Sequence, residues 1–301
     1  MLRSLLICFS SLLCILNGLS QTYIDVFSIT YGNSPETVYQ EGDDKTGVQN
    51  AAFNLTLPFQ TGDGPVLLTG LNAFTNRLRL DPASTQSTGL YSISLELGAR
   101  IAYGNNWTGT HYLIPRISSS FQAPRDGFQL ATLQLFEKQK SVNNAFSIGV
   151  YLSEESYGWM VVPLLGFYRR DPDDLWEIRL FLPSRGDLNF RIAERMRAGL
   201  YFDGLGSTHD IDNAQFGLAY VQRISNDLQG YLQFGLTKSL LLGLRGGYSF
   251  FRSYRVYDEE DTAGISIANF FFNDNRIPLN SSVNDGFLWS LKLTYRLHLE
   301  S

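Results

Sequence analysis

Cysteine is the first scarcity: Cys8 and Cys14 both fall within the first twenty residues, so from Gln21 onward there is no thiol. Disulfides and thiolate metal centres are thereby excluded from that region. Histidine is nearly as rare, with only His111, His209 and His298 to serve acid–base or metal chemistry. Basic residues are outnumbered, 24 Lys and Arg against 29 Asp and Glu for a net charge of −5, which argues against a nucleic-acid partner held on a basic surface. After Gln21 no uninterrupted apolar run reaches the length of a transmembrane helix, so any crossing of a bilayer has to be made by strands. What the chain has in quantity is Gly (27), Phe (21) and Tyr (16), beside only 3 Met. That mix favours an all-β fold.

The first twenty residues read as a secretory signal. Arg3 gives a short positive start, Leu5 to Leu16 is almost wholly apolar, and Gly18-Leu19-Ser20 offers small residues for cleavage before Gln21. A membrane-anchor helix is the alternative, but the apolar run is shorter than the roughly 18 to 20 residues that span a bilayer. A lipoprotein would need a small residue before Cys14, and Leu13 stands there. The expected organisation is a signal peptide over 1–20 and one outer-membrane β-barrel domain over 21–301, with no repeat or linker dividing it.

Period-two alternation is clearest at the C-terminus. Phe287, Trp289, Leu291, Leu293, Tyr295, Leu297 and Leu299 point one way; Ser290, Lys292, Thr294, Arg296 and His298 point the other. At about 3.3 Å per residue such a run extends about 40 Å, which a tilt of about 45° projects onto the hydrocarbon thickness. The same pattern recurs from Tyr91 to Tyr103, with a tyrosine at each end of the apolar stripe, as membrane barrels place aromatics at the two lipid interfaces. Weaker copies lie at 51–59, 146–152, 176–182, 196–202, 228–236 and 240–250. A soluble sandwich also alternates, but with strands of about five to six residues. The longer stripes favour a single transmembrane antiparallel β-barrel.

Turn-forming clusters punctuate the stripes at 61 (TGDGP), 104 (GNN), 170 (RDPDD), 183 (PSRGD) and 225 (SND). The long connections are 32–47, 204–213 and 258–285, which in outer-membrane barrels belong outside. About fifteen amphipathic segments can be counted, whereas a single-chain bacterial barrel closes with an even number. Either Leu175 to Ala193 is one interrupted strand, leaving fourteen, or the segment from Thr262 hides another, making sixteen. Fourteen places the 258–285 loop outside and is the expected number, within a range of 12 to 16.

The stretch LWEIRLFLPSRGDLNFRIAERMRAGLYFDG, with Trp176, Leu182-Pro183, Asn189-Phe190 and Met196 to Gly199, resembles an outer-membrane β-barrel family filed as domain of unknown function 6268. The resemblance continues through FGLAYVQRISNDLQGYLQFGLTKSLLLGLRGGYSFFR from Phe216. It implies fold and location, and no activity.

If the apolar stripes face lipid, the opposite faces carry Arg77, Arg79, Glu96, Arg100, Glu177, Arg179, Arg191, Arg197, Arg223, Arg245, Lys292 and Arg296 into the lumen, with basic residues in excess. A low-dielectric wall focuses such charge, so an open lumen would favour anions. The alternative is a closed interior in which arginines pair with Glu96, Glu177 and carbonyls. The loop with Phe270, Phe271 and Phe272 is a lid, a plug or part of a strand, because three free phenylalanines would be costly. Catalysis would require a histidine beside a nucleophile or acid. His209 with Asp210 is the nearest approach, inside no recognisable signature, so no enzyme is expected. The acidic run Asp258 to Asp261 lacks the glycine and spacing of a calcium loop. The expectation is therefore a passive channel for small polar or anionic solutes, or else a non-conducting binding barrel. It needs no cofactor and no metal, and its partners are outer-membrane lipid, lipopolysaccharide and the assembly machinery.

Overall fold

The computed structural model describes residues 23–60, 62, 64–121 and 127–298. The signal segment and Leu299 lie outside the described residues. Sixteen strands follow in order: β1 (Tyr23–Val38), β2 (Lys45–Gln60), β3 (Val66–Leu78), β4 (Thr88–Gly104), β5 (Trp107–Ser119), β6 (Phe128–Ser141), β7 (Asn144–Glu155), β8 (Gly158–Arg170), β9 (Trp176–Leu182), β10 (Arg185–Ala193), β11 (Met196–Asn213), β12 (Gly217–Gly235), β13 (Leu240–Asp258), β14 (Gly264–Ile267), β15 (Phe270–Phe271) and β16 (Gly286–His298). Consecutive strands pair antiparallel from β1 to β13, β13 pairs with β16, and β16 pairs with β1. The result is a closed barrel of fourteen antiparallel strands. Its turns at the end holding both chain termini are short: Asn105 and Asn106, both at positive φ, make a two-residue hairpin of the kind that asparagine tolerates. The long connections lie at the other end, which is therefore extracellular.

Fourteen is the expected number, reached by another route. Leu175 to Ala193 is not one strand but the short hairpin β9–β10, turning at Pro183 and Ser184. The segment after Thr262 does hold strands, β14 and β15, but they form a small hairpin at the edge of β8 and take no part in closing the circle.

Outward positions form an apolar belt, including Ile29, Leu71, Ile93, Leu95, Leu97, Leu113, Ile148, Leu200 and Leu291, all exposed on the isolated chain. Aromatics rim it: Tyr31, Tyr91, Phe128, Trp159 and Phe287 toward the extracellular end, Tyr103, Trp107, Phe146, Phe190 and Phe234 toward the periplasmic end. Lipid removes such a belt from water, and the strand ladders around the wall pair the backbone that lipid could not satisfy.

The expected loop 204–213 is instead the upper part of β11, and the expected turn at 225 lies within β12. Past Asp203, β11 loses β10 as a neighbour and turns inward, until Asp210 bridges to Ser119 of β5 on the far side of the mouth. The upper parts of β12 and β13 follow. The bend is marked on β12 by a register shift between Ile224 and Asn226, and on β13 by Phe251 at φ 51°. Turn-forming residues at 225–227 thus mark a β-bulge, which bends a strand without ending it. The three upper segments form a tongue inserted into the mouth and buried on both faces. On one face Ile211, Ala219, Val221, Tyr254 and Val256 pack against Val48, Leu78, Leu80 and Leu90 of the opposite wall, with Tyr39 and Val283. On the other, Tyr220 and Tyr257 pack against Tyr157, Met160, Val162 and Leu164. Each fully buried aliphatic side chain contributes about 1.5–3 kcal/mol, and this cluster is what holds the mouth shut.

Candidate functional site

Below the tongue the lumen keeps open space. In the periplasmic half of the lumen a cavity of about 280 Å³ is lined from β1, β9 to β13 and β16 by inward side chains, Arg179, Arg185, Arg245, Lys292 and Arg296 among them. Alternation along each strand explains the selection: on β16, Lys292, Thr294 and Arg296 point in while Leu291 and Leu293 point out.

Most of these cations are paired. Arg296 grips Asp25 with two hydrogen bonds of 2.6 and 3.1 Å while covering the Tyr23 ring. Arg179 donates to Glu177 at 2.7 Å, and the Tyr23 hydroxyl donates to the same carboxylate at 3.0 Å. Arg185 reaches Asp203 at 3.4 Å. Asp187 accepts the hydroxyl of Tyr231 at 2.7 Å. Arg245 and Lys292 differ. Arg245 stacks over Tyr201, 4.0 Å from the ring centre, and neither it nor Lys292 has a carboxylate at ion-pair distance among the described residues. Across the β13–β16 ladder Lys292 faces Gly243, which adds no side chain to the cavity beside the base of the lysine. Arg245 and Lys292 thus stand on one wall of the cavity without a direct ion pair, with Asp25 and Asp187 the acidic residues in the same lining.

The expected lumen residues divide. Arg179, Arg245, Lys292 and Arg296 meet at the cavity, with Glu177 behind Arg179. Glu96 and Arg100 also face inward, from β4 and outside the cavity lining, where Glu96 accepts from Asn72 at 2.8 Å and Arg100 bonds Glu137 at 3.0 Å. Arg223 belongs to the tongue, over Phe74 and bonded to Tyr254 and Ser225. Arg191 and Arg197 converge on Asp174 at the periplasmic rim. Two positions are corrected. Arg77 shares the outward face of Leu67 and Leu71, and Arg79 lies in the β3–β4 connection, bonded to the carbonyls of Lys45 and Ser84. By residue 75 β3 has left the lipid belt, and polarity no longer reports which way a side chain points. Reading the sequence missed Asp25, Asp187, Tyr201 and Arg185; Arg185 was masked by its turn-like PSRGD context.

No histidine meets a nucleophile among the described residues. His209 is fully buried in the tongue, with neither ring nitrogen hydrogen-bonded. Asp210 turns to the other face and accepts from Ser156, as neighbours on a strand must. His111 faces outward, bonded to Tyr103 and Gln134, and His298 sits exposed at the end of β16.

No family model and no curated protein sequence matches the chain. Among solved structures, an outer-membrane channel from Pseudomonas putida F1 is similar over 90% of this chain and 94% of that one, at 8% identity and a TM-score of 0.47. The NanC porin is similar over 90% and 100%, at 9% identity and TM-score 0.42. A deltaS2 mutant of the TodX monoaromatic hydrocarbon channel is similar over 91% and 90%, at 8% identity and TM-score 0.39. The closed wall, its apolar belt and its two aromatic rims make this chain a β-barrel of the bacterial outer membrane.

Proposed function

We propose that the chain is an outer-membrane channel for small polar solutes with a preference for anions, shut at its extracellular mouth by the tongue and open to solute binding below it. The single observation that carries this reading is the unpaired Arg245 and Lys292 in the periplasmic cavity. The chain is exported by cleavage after Ser20, is grouped with the family filed as domain of unknown function 6268, and is inserted by the outer-membrane assembly machinery among lipid and lipopolysaccharide. It carries no enzymatic activity and takes no cofactor. The proposed solute-contacting set is Arg179, Arg185, Arg245, Lys292 and Arg296.

The test is planar-bilayer conductance of the refolded barrel, with reversal potential under a salt gradient. Wild-type protein is expected to be silent or to open rarely, and a variant with a loosened tongue to give steady anion-selective steps. Replacing Arg245 and Lys292 by Gln in that variant should move the reversal potential toward zero or to the cation side. A folded, heat-modifiable barrel that stays silent with the tongue loosened overturns passage and leaves a binding barrel, the reading that the packed tongue core favours.

A further inference from the structure

The tip of β9–β10 ends partway up the wall, so above it β8 and β11 have no common neighbour. The β8–β9 ladder stops at Leu165 and Leu182, and the β10–β11 ladder at Arg185 and Asp203. A panel from the β13–β16 connection covers the breach: β14 pairs with residues 158–161 of β8, in parallel, within an otherwise antiparallel wall. Its alternation suits the position. Ile265 and Ile267 lie exposed beside Trp159 and Val161 as a continuation of the lipid face, while Ser266 is buried and bonded to Tyr157 at 2.8 Å.

The panel is fastened along one edge only. On its other side β14 meets β15, and the approach to β11 is a side-chain contact: a methyl group on Gly206 would strike Asn269. Between panel and hairpin tip a single peptide unit of β8 faces the opening. Ala268 bonds the carbonyl of Val161 and Leu165 is paired, so the residue turned to the gap is Pro163, which has no N–H to leave unsatisfied. An edge built to stand open within hydrocarbon would use proline there.

Behind the panel the wall is apolar where a porin lumen is polar: Met160, Val162 and Leu164 point inward, joined by Tyr157, Tyr220, Tyr257 and Phe271 of the panel itself. Against this packed cluster lies an ion pair. The Arg276 side chain, 2% exposed, stands over the rings of Tyr257, Phe271 and Tyr157 at 4.3, 4.7 and 5.2 Å and donates to Tyr220 at 2.9 Å. Its carboxylate partner is Asp274, two residues away on the same loop. With Phe271 and Asp274 moved aside, an apolar bed under a guanidinium beside outer-leaflet acyl chains matches one kind of molecule.

We propose that the β14–β15 panel is a lateral gate, and that the apolar bed its opening uncovers binds a single-chain carboxylate amphiphile from the membrane, its chain replacing Phe271 and its head replacing Asp274 on Arg276. This does not rest on anion passage through the lower lumen.

The test uses the refolded full-length barrel in phosphatidylcholine vesicles with spin-labelled dodecanoate, reading the immobilised fraction by electron paramagnetic resonance. The double variant Gly206→Cys with Asn269→Cys pins the panel to β11 when oxidised. Saturable immobilisation is expected in the reduced form, with at least tenfold weaker binding after oxidation and recovery on reduction. Arg276→Gln should weaken dodecanoate binding about tenfold and leave spin-labelled dodecanol within about twofold. Equal immobilisation in the oxidised and reduced forms, or none that saturates, overturns the gate. Failure of the crosslink to form in a heat-modifiable barrel overturns the seam on which it depends. Equal loss of both probes in Arg276→Gln overturns the assignment of the head group.

Discussion

The two halves of the lumen use the same alternating strands to opposite ends. In the lower half the inward faces carry charge around an open cavity, and partners come from the same or a neighbouring strand, as with Arg296 of β16 and Asp25 of β1. In the upper half the inward faces are filled by three strands of the barrel itself, and partners come from across the mouth, as with Asn76 of β3 and Tyr254 of β13. Under the proposed channel function, selectivity and closure fall to different residues, and each half is expected to be open to disturbance without the other.

The largest effect is expected where the tongue meets the wall through charge. The Glu155 side chain is fully buried; it accepts from Arg116 at 2.7 Å, from Ser153, and from the backbone and hydroxyl of Thr208 on the tongue. Glu155→Ala strands Arg116 and should cost about 3–5 kcal/mol, the scale of a broken buried pair. Urea denaturation should show the loss, and bilayer recordings should show openings. Leu78→Ala comes next: Leu78 lies in the apolar cluster at 0% exposure, and its truncation should cost about 2–5 kcal/mol and open the mouth without altering any charge. If either variant conducts with altered selectivity, the division of labour between the halves fails. Neutralising Arg245 and Lys292 should change selectivity while shifting the denaturation midpoint by less than either tongue variant.

The smallest expected effect is one of pH. The hydrogen bonds from Arg276 hold the Asp274 carboxyl below its ordinary value of 3.8. A lowered pKa in the folded state means that the contribution is complete above the ordinary value and is lost as pH falls through the lowered one. Asp274 is partly exposed, so the contribution is under about 1 kcal/mol. Proteolysis of the 259–285 loop should therefore be unchanged from pH 8 to pH 5 and rise only in stronger acid. Asp274→Asn should raise it from pH 8 to pH 5 and converge with the wild type in stronger acid.

How much of this was legible follows from what alternation can report. Where a strand has lipid on one side, the two faces differ in polarity, and the stripes at 91–103 and 287–297 gave orientation, span and the lumen positions Glu96, Arg100, Lys292 and Arg296. Where both faces touch protein, the contrast disappears. Residues 204–213, GLGSTHDIDN, read as a polar loop because the groups that satisfy them, Glu155, Ser118 and Ser120, are far away in sequence. SND at 225 read as a turn because a bulge and a turn ask for the same residues. Arg77 lay beyond the lipid belt, where nothing in the pattern separates in from out. The pairing that left Arg245 and Lys292 without carboxylates was invisible for the same reason: ion pairs across a barrel depend on register, and register is not written in composition.

The apolar cluster that fills the mouth draws on arcs of the wall that meet only when the circle is complete. Val48, Leu78 and Leu90 come from early strands, Val221 and Val256 from late ones, and Val283 from the last connection, where it bridges to Tyr39. The seal therefore draws on the chain from β2 to the β13–β16 connection at once, and a chain that stops short of Val283 lacks part of its own plug.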